Sequence, residues 1–139
     1  MYKHADLTEA VIGAFFDVYN DLGYGFLERV YANALALELR ERSIGVMREQ
    51  PIRVCYHGAV VGEYLADLVV GGAVIVETKA VRALLDEHEA QLLNYLKATP
   101  YEVGLLLNFG PKPEVRRKAY DNARKGSMRW IDTPRIGLP

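Results

Sequence analysis

Asp67, Glu77 and Lys79 are ionisable residues set in otherwise apolar stretches. Leu65, Leu68, Val69 and Val70 flank the aspartate, and Glu77 and Lys79 close the run Ala73-Val74-Ile75-Val76. Burying such charges beside a hydrophobic sheet is costly unless they pair or hold a cation. Residues two apart on a strand face the same way, so Glu77 and Lys79 share a surface. Two carboxylates converging on a strand pair suit a hard divalent ion such as Mg²⁺ or Mn²⁺, which keeps waters for a phosphate and a nucleophile. Lys79 beside them would position the attacking water or offset charge on a phosphoryl oxygen. The same spacing also fits a simpler arrangement, with Asp67 capping a turn and Glu77-Lys79 as an ion pair at a strand end.

The elements that must position these residues follow from hydrophobic periodicity. A first helix is expected from about Thr8 to Leu22, with Asp6 or Thr8 as its cap, and Gly23 and Gly25 break it. A second runs from about Leu27 to Arg42 and ends near Gly45. From Val46 the pattern turns to β-type, with a strand through Tyr56, a His57-Gly58 turn, and a strand from Val60 to Val70. Ala73 to Lys79 reads as a buried strand, Asp86 or Glu87 to Lys97 as a third helix, and Val103 to Asn108 as a strand too apolar for an exposed edge. The last two strands, joined by a helix, should be parallel, whereas the earlier ones, joined by short turns, should be antiparallel. The result is an α/β domain with a mixed sheet flanked by helices, in the order α-α-β-β-β-α-β.

Register decides whether the carboxylates meet. A two-residue Gly71-Gly72 turn would put Asp67 opposite Val76, on the wrong face, whereas a three-residue loop, Gly71 to Ala73, would put it opposite Glu77. The chemistry therefore predicts an odd-numbered loop or a bulge.

Other residues border this centre. Glu28 follows the Gly23-Tyr24-Gly25 turn, where a carboxylate suits the positive end of a helix dipole, although an ordinary first-turn glutamate looks the same. Gln91 and Tyr95 lie one helical turn apart, and His88 extends them into a polar stripe opposite Leu92, Leu93 and Leu96. That stripe is either a solvated face or a shell around the charged cluster. Between Lys112 and Arg129 there are seven basic residues against two acidic ones. Lys112, Arg116, Arg117 and Lys118 are the candidates for binding a nucleic-acid backbone, and a solvated amphipathic helix explains them equally.

Composition bounds the rest. The 139 residues, with 17 Lys+Arg against 18 Asp+Glu, suit one globular domain over residues 1–132, followed by a loose tail over 133–139. A single cysteine, Cys55, excludes an intramolecular disulfide and a Cys-based zinc cage. With no apolar run of membrane-spanning length and no signal-peptide core, a soluble cytoplasmic protein is expected. The formal net charge of −1 sums unlike parts, 6 basic and 10 acidic groups over residues 1–70 against 11 and 8 over 71–139. It argues only against a uniformly basic surface.

Gly25-Phe26-Leu27-Glu28-Arg29-Val30-Tyr31 reads G-x-x-E-x-x-Y. With Tyr64-Leu65-Ala66-Asp67, Val76-Glu77-Thr78-Lys79-Ala80, Gln91 through Lys97 and Gly104 through Gly110, the chain resembles the GxxExxY family of the PD-(D/E)XK nuclease-like superfamily. The resemblance covers roughly Leu7 to Gly110 and implies a restriction-endonuclease-like core. It matches Glu28, Asp67, Glu77, Lys79, Gln91 and Tyr95 to active-site positions, with Asp67, Glu77 and Glu28 as ligands of Mg²⁺ or Mn²⁺. Ala66 stands where the superfamily's name has proline. The implied function is a metal-dependent nuclease hydrolysing phosphodiester bonds of DNA or RNA. A catalytically inactive module of the same fold, binding nucleic acid or protein, is the alternative, and a small-molecule phosphohydrolase is a third reading. So small a core has little surface for gripping two strands, which admits a homodimer, although no interface signature marks one.

Overall fold

Apolar residues at helical spacing build the first two elements of the computed structural model, which describes residues 3–132; the expected tail, 133–139, lies outside them. Helix α1, Ala5–Leu22, buries Val11, Ala14, Phe15 and Val18. It begins earlier than the Thr8 cap would have it, because Thr8 is buried and its hydroxyl donates to the Ala5 carbonyl at 3.1 Å. Helix α2, Glu28–Glu41, buries Tyr31, Ala32, Leu35, Ala36 and Leu39. Its end is set by Ser43 rather than Gly45. Ser43 takes φ 63°, and the Ser43 and Ile44 N–H groups return to the carbonyls of Arg40 and Leu39, closing the helix.

Strands β1, Val46–Tyr56, and β2, Ala59–Val70, form a hairpin through His57-Gly58, both at positive φ as a tight turn requires. Strand β3, Val74–Lys79, follows, then helix α3, Asp86–Lys97, and strand β4, Val103–Phe109. Val70 pairs with Val74, so the intervening loop is Gly71-Gly72-Ala73, the three-residue form that the buried charges demand. Gly71 and Gly72 sit at φ 59° and 64°, in the left-handed region open to glycine. β3 and β4 are parallel and the other neighbours antiparallel.

The basic segment departs from the amphipathic-helix alternative. Pro113–Ala119 is a strand, β5, antiparallel to β4, and it adds a fifth member to the sheet order β1-β2-β3-β4-β5. Its period is two: Val115 packs on one core, while Glu114 and Lys118 bond to residues of the other side. Proline at its first position costs no ladder bond. β5 covers the edge of β4, all of whose residues are buried.

The sheet separates two cores. α1 and α2 cover one face with Val11, Phe15, Tyr31 and Leu35 against Leu68, Val70, Val74 and Val76. α3 covers the other with Leu92, Tyr95 and Leu96 against Ile52, Ala66, Val69, Ile75 and Leu106. β3 belongs to both, and burying each of Val74, Ile75 and Val76 contributes about 1.5–3 kcal/mol, an anchor that offsets the cost of ending the strand in a buried glutamate. No helix of the described residues is long and apolar enough to cross a membrane.

Candidate active site

The regular ladder between β2 and β3 stops at Leu68 opposite Val76. One step further, side chains take over the pairing. The Asp67 N–H donates to Glu77 Oε2 at 2.7 Å. In return Asp67 Oδ2 accepts from the Thr78 N–H at 2.8 Å and from the Thr78 hydroxyl at 3.0 Å. The two carboxylates therefore fill the place where the strands part.

The strands part because β2 changes faces at Asp67. Ala66 and Val69 both join the α3 core, whereas Leu68 and Val70 join the α1–α2 core, which strict alternation forbids. Across the hairpin, between the pairs Arg48–Leu68 and Gln50–Ala66, Glu49 sits at φ 52° and kinks β1 at the same level. Arg48 steadies the break. Its Nη1 donates to the Asp67 carbonyl at 2.6 Å and its Nη2 to Asn33 Oδ1 on α2 at 3.0 Å.

Electrostatics mark the pair as unfinished. Glu77 is 4% exposed. Burial first, and then the Asp67 charge, push its carboxyl up to about 8, against the opposing pull of the Asp67 N–H and Lys79. Glu28 lies at the solvent rim at the start of α2, and its pKa is raised by partial burial of its inner side and by Asp67, while Lys79 lowers it. Lys79 makes no hydrogen bond or ion pair among the described residues. Its ammonium acts on both glutamates through space.

Glu28 is placed by Tyr31. The Tyr31 hydroxyl donates to the Gly23 carbonyl at 2.6 Å and accepts from the Phe26 N–H at 3.1 Å, while its ring stacks on Phe109 at 4.4 Å. This bridge locks the Gly23–Phe26 turn, where Gly25 takes φ 124°, and fixes the first turn of α2. Tyr95 enters from α3, 5% exposed, its ring 5.6 Å from that of Tyr64. Burial, with the charges of Glu77 and Asp67, raises its phenol to about 12. Gln91 is half-buried one turn before it and makes no hydrogen bond among the described residues. His88 is structural: its Nδ1 accepts from the Leu85 N–H at 3.0 Å at the start of α3.

Asp67, Lys79 and Glu28 thus all act on Glu77, Tyr95 feels the charges of Glu77 and Asp67, and Gln91 stands apart from the polar contacts. The basic residues diverge. Arg116 pairs with Glu114 at 3.4 Å, Lys118 with Glu89 at 2.5 Å, and Arg117 donates to the Lys3 carbonyl at 2.8 Å. Lys112 projects from the turn after β4 with no such partner among the described residues. Arg48 and Thr78 escape sequence reading. Arg48 opens the polar run Arg48-Glu49-Gln50 of β1, and Thr78 occupies the variable place between glutamate and lysine.

Among the described residues no three His, Cys, Asp or Glu side chains are gathered closely enough to enclose a metal ion. The donor set nevertheless suits a hard cation that keeps much of its water. Asp67 Oδ2 and Glu77 Oε2 are anchored, while Asp67 Oδ1 and Glu77 Oε1 accept no hydrogen bond among the described residues. A cation between them would also offset the burial and the Asp67 charge that raise Glu77.

The model of the PD-(D/E)XK nuclease superfamily matches residues 5–118, which span the sheet, all three helices and every one of these site residues. The chain belongs to this superfamily. Its mixed five-stranded sheet with three helices is consistent with the restriction-endonuclease-like fold of that superfamily. Membership supports a hydrolase of the nuclease type, with nucleic acid as substrate and a divalent metal of a kind that nucleases of the superfamily generally use. No curated protein and no solved structure gives a significant match to the chain.

Proposed function

We propose that this PD-(D/E)XK protein is a Mg²⁺- or Mn²⁺-dependent nuclease that hydrolyses phosphodiester bonds of DNA or RNA, and that within the superfamily it belongs with the G-x-x-E-x-x-Y group. The observation that carries the reading is the pair of strand-borne carboxylates, each with one oxygen anchored and one left over, beside a lysine without a partner among the described residues. Asp67 and Glu77 would hold the cation, with Glu28 at its rim. Bound there, a divalent ion supplies Lewis-acid activation of a phosphoryl oxygen and acidifies water. Lys79 orients the attacking water and balances charge developing on the phosphate. Tyr95, kept protonated by its raised pKa, serves as a hydrogen-bond donor on the α3 side, and Gln91 shapes the same wall. Arg48 and Thr78 hold the Asp67 backbone and carboxylate, so they position the site without touching the reaction.

The test is cleavage of labelled single- and double-stranded DNA and RNA with Mg²⁺, Mn²⁺ or EDTA. Cutting that needs metal and is lost in both Glu77→Ala and Lys79→Ala is expected. Equal cutting by wild type and variants would contradict the reading, and binding without cutting would favour the inactive module.

A further inference from the structure

A cleft of about 760 Å³ opens at the carboxyl ends of the parallel strands β3 and β4, lined by Tyr24, Ala80, Val81, Arg82, Pro111 and Lys112. Whereas Glu28, Arg48 and Asp67 line a separate recess of about 260 Å³, Ala80, which follows Lys79 in the chain, lines the cleft. Its walls are fixed. Asn108 at the end of β4 clasps Val81 with both amide atoms, accepting from the Val81 N–H at 3.0 Å and donating to the Val81 carbonyl at 2.9 Å. Glu114 Oε1 accepts from Asn108 Nδ2 at 2.9 Å and from the Leu84 N–H at 3.0 Å, tying the same loop to β5. On the opposite wall the Tyr19 hydroxyl donates to the Gly110 carbonyl at 2.6 Å, with the Pro111 carbonyl at 3.0 Å. The walls touch at Gly110, where an added Cβ would lie 2.2 Å from the Val81 carbonyl oxygen.

These braced loops carry two cations with no brace of their own. Arg82 and Lys112 are exposed and make no hydrogen bond or ion pair among the described residues. Arg116 and Lys118 of β5, by contrast, are engaged by Glu114 and Glu89. Tyr24, 64% exposed, adds an aromatic face at the mouth of the cleft. Two unspent cations and one exposed ring, held on rigid loops beside a phosphodiesterase centre, match the chemistry of a polynucleotide strand: phosphates for the charges, a base or sugar for the ring.

We propose that Arg82 and Lys112 grip a non-scissile phosphate of the substrate strand as it leaves the Asp67–Glu77 centre, with Tyr24 against the adjoining nucleotide. This rests on the nuclease reading and assigns the strand's path to this cleft rather than to the basic face of β5. Arg82 and Lys112 are substrate-binding residues, distinct from the groups at the reacting phosphate.

The test is fluorescence anisotropy with labelled single-stranded and duplex DNA and RNA, in Ca²⁺ and over a salt series, for wild type, Arg82→Ala, Lys112→Ala and the double variant. Arg53→Ala, on the distant hairpin, controls for overall charge. Each cleft substitution is expected to weaken binding roughly fivefold at low salt and to reduce the salt slope by about 0.7–0.9 per cation, with Tm unchanged. Tyr24→Ala should weaken binding with no change in slope. If wild type binds but the cleft variants keep its affinity and slope, or if Arg53→Ala weakens binding as much, the path proposed here is wrong while the nuclease reading stands. If wild type binds none of the nucleic acids, the nuclease reading fails and takes this inference with it.

Discussion

Glu77 holds its proton up to about pH 8 because the fold buries it beside Asp67. A cation must displace that proton, so metal binding is coupled to pH. Affinity for Mn²⁺ is expected to rise with pH by up to about tenfold per unit below pH 8 and to level off above it. Calorimetry in buffers of different ionisation enthalpy should find protons released on binding, and Glu77→Gln should abolish both the release and this pH dependence. Stability of the metal-free protein moves the other way. The folded pKa lies above the unfolded value of about 4.3, so the folded state binds the extra proton between them. Tm without metal should therefore fall as pH rises from about 5 to beyond 8, and Glu77→Gln, which cannot ionise, should remove that fall. A metal-free Tm that rises over this window in proportion to Glu77 would contradict the assignment. At this scale the sequence is legible where burial makes a charge expensive, as at Asp67 and Glu77. It is silent at Arg48 and Thr78, whose roles arise only once the strands part.

Among the elements, the loop between β2 and β3 shows how an energetic argument fixes geometry. An odd loop or a bulge lets two buried carboxylates share a centre, and Gly71-Gly72-Ala73 is the odd loop. The change of faces at Asp67 was not legible, because it depends on Glu49 adopting φ 52° on the neighbouring strand. Strand β5 was hidden for another reason: its alternation is carried by Val115 among basic residues, which read as a charged run. The turn before α2 offers a separable test. Tyr31→Phe keeps the ring on Phe109 but removes the bridge between Gly23 and Phe26, and it should cost about 1–2 kcal/mol in chemical denaturation. Cleavage should drop with it, since Glu28 loses its fixed position; unchanged activity would remove Glu28 from the centre. Gly110→Ala forces a Cβ against the Val81 carbonyl, and the strain should cost about 1–3 kcal/mol and lower activity by moving the loop next to Lys79. Thermal melts with rate measurements on the same variant check both effects.

Over the whole molecule, the sheet divides two cores and the charged centre lies where they meet. Glu28 comes from the α1–α2 layer, Asp67, Glu77 and Lys79 from the sheet, and Tyr95 from the α3 layer. The order of helices and strands through β4, and the parallel pairing of β3 and β4, follow from sequence because long apolar runs leave few alternatives. Which face each helix covers does not follow, and it is this choice that brings Glu28 and Tyr95 to the centre from opposite sides. Net charge likewise misleads until the pairs are seen, because Glu114 and Glu89 engage much of the basic face of β5. The most direct measurement is the anomalous diffraction of a crystal soaked in Mn²⁺. An ion contacting both Asp67 and Glu77 is the predicted result, and Mn²⁺ bound elsewhere, touching neither carboxylate, would contradict the proposed centre.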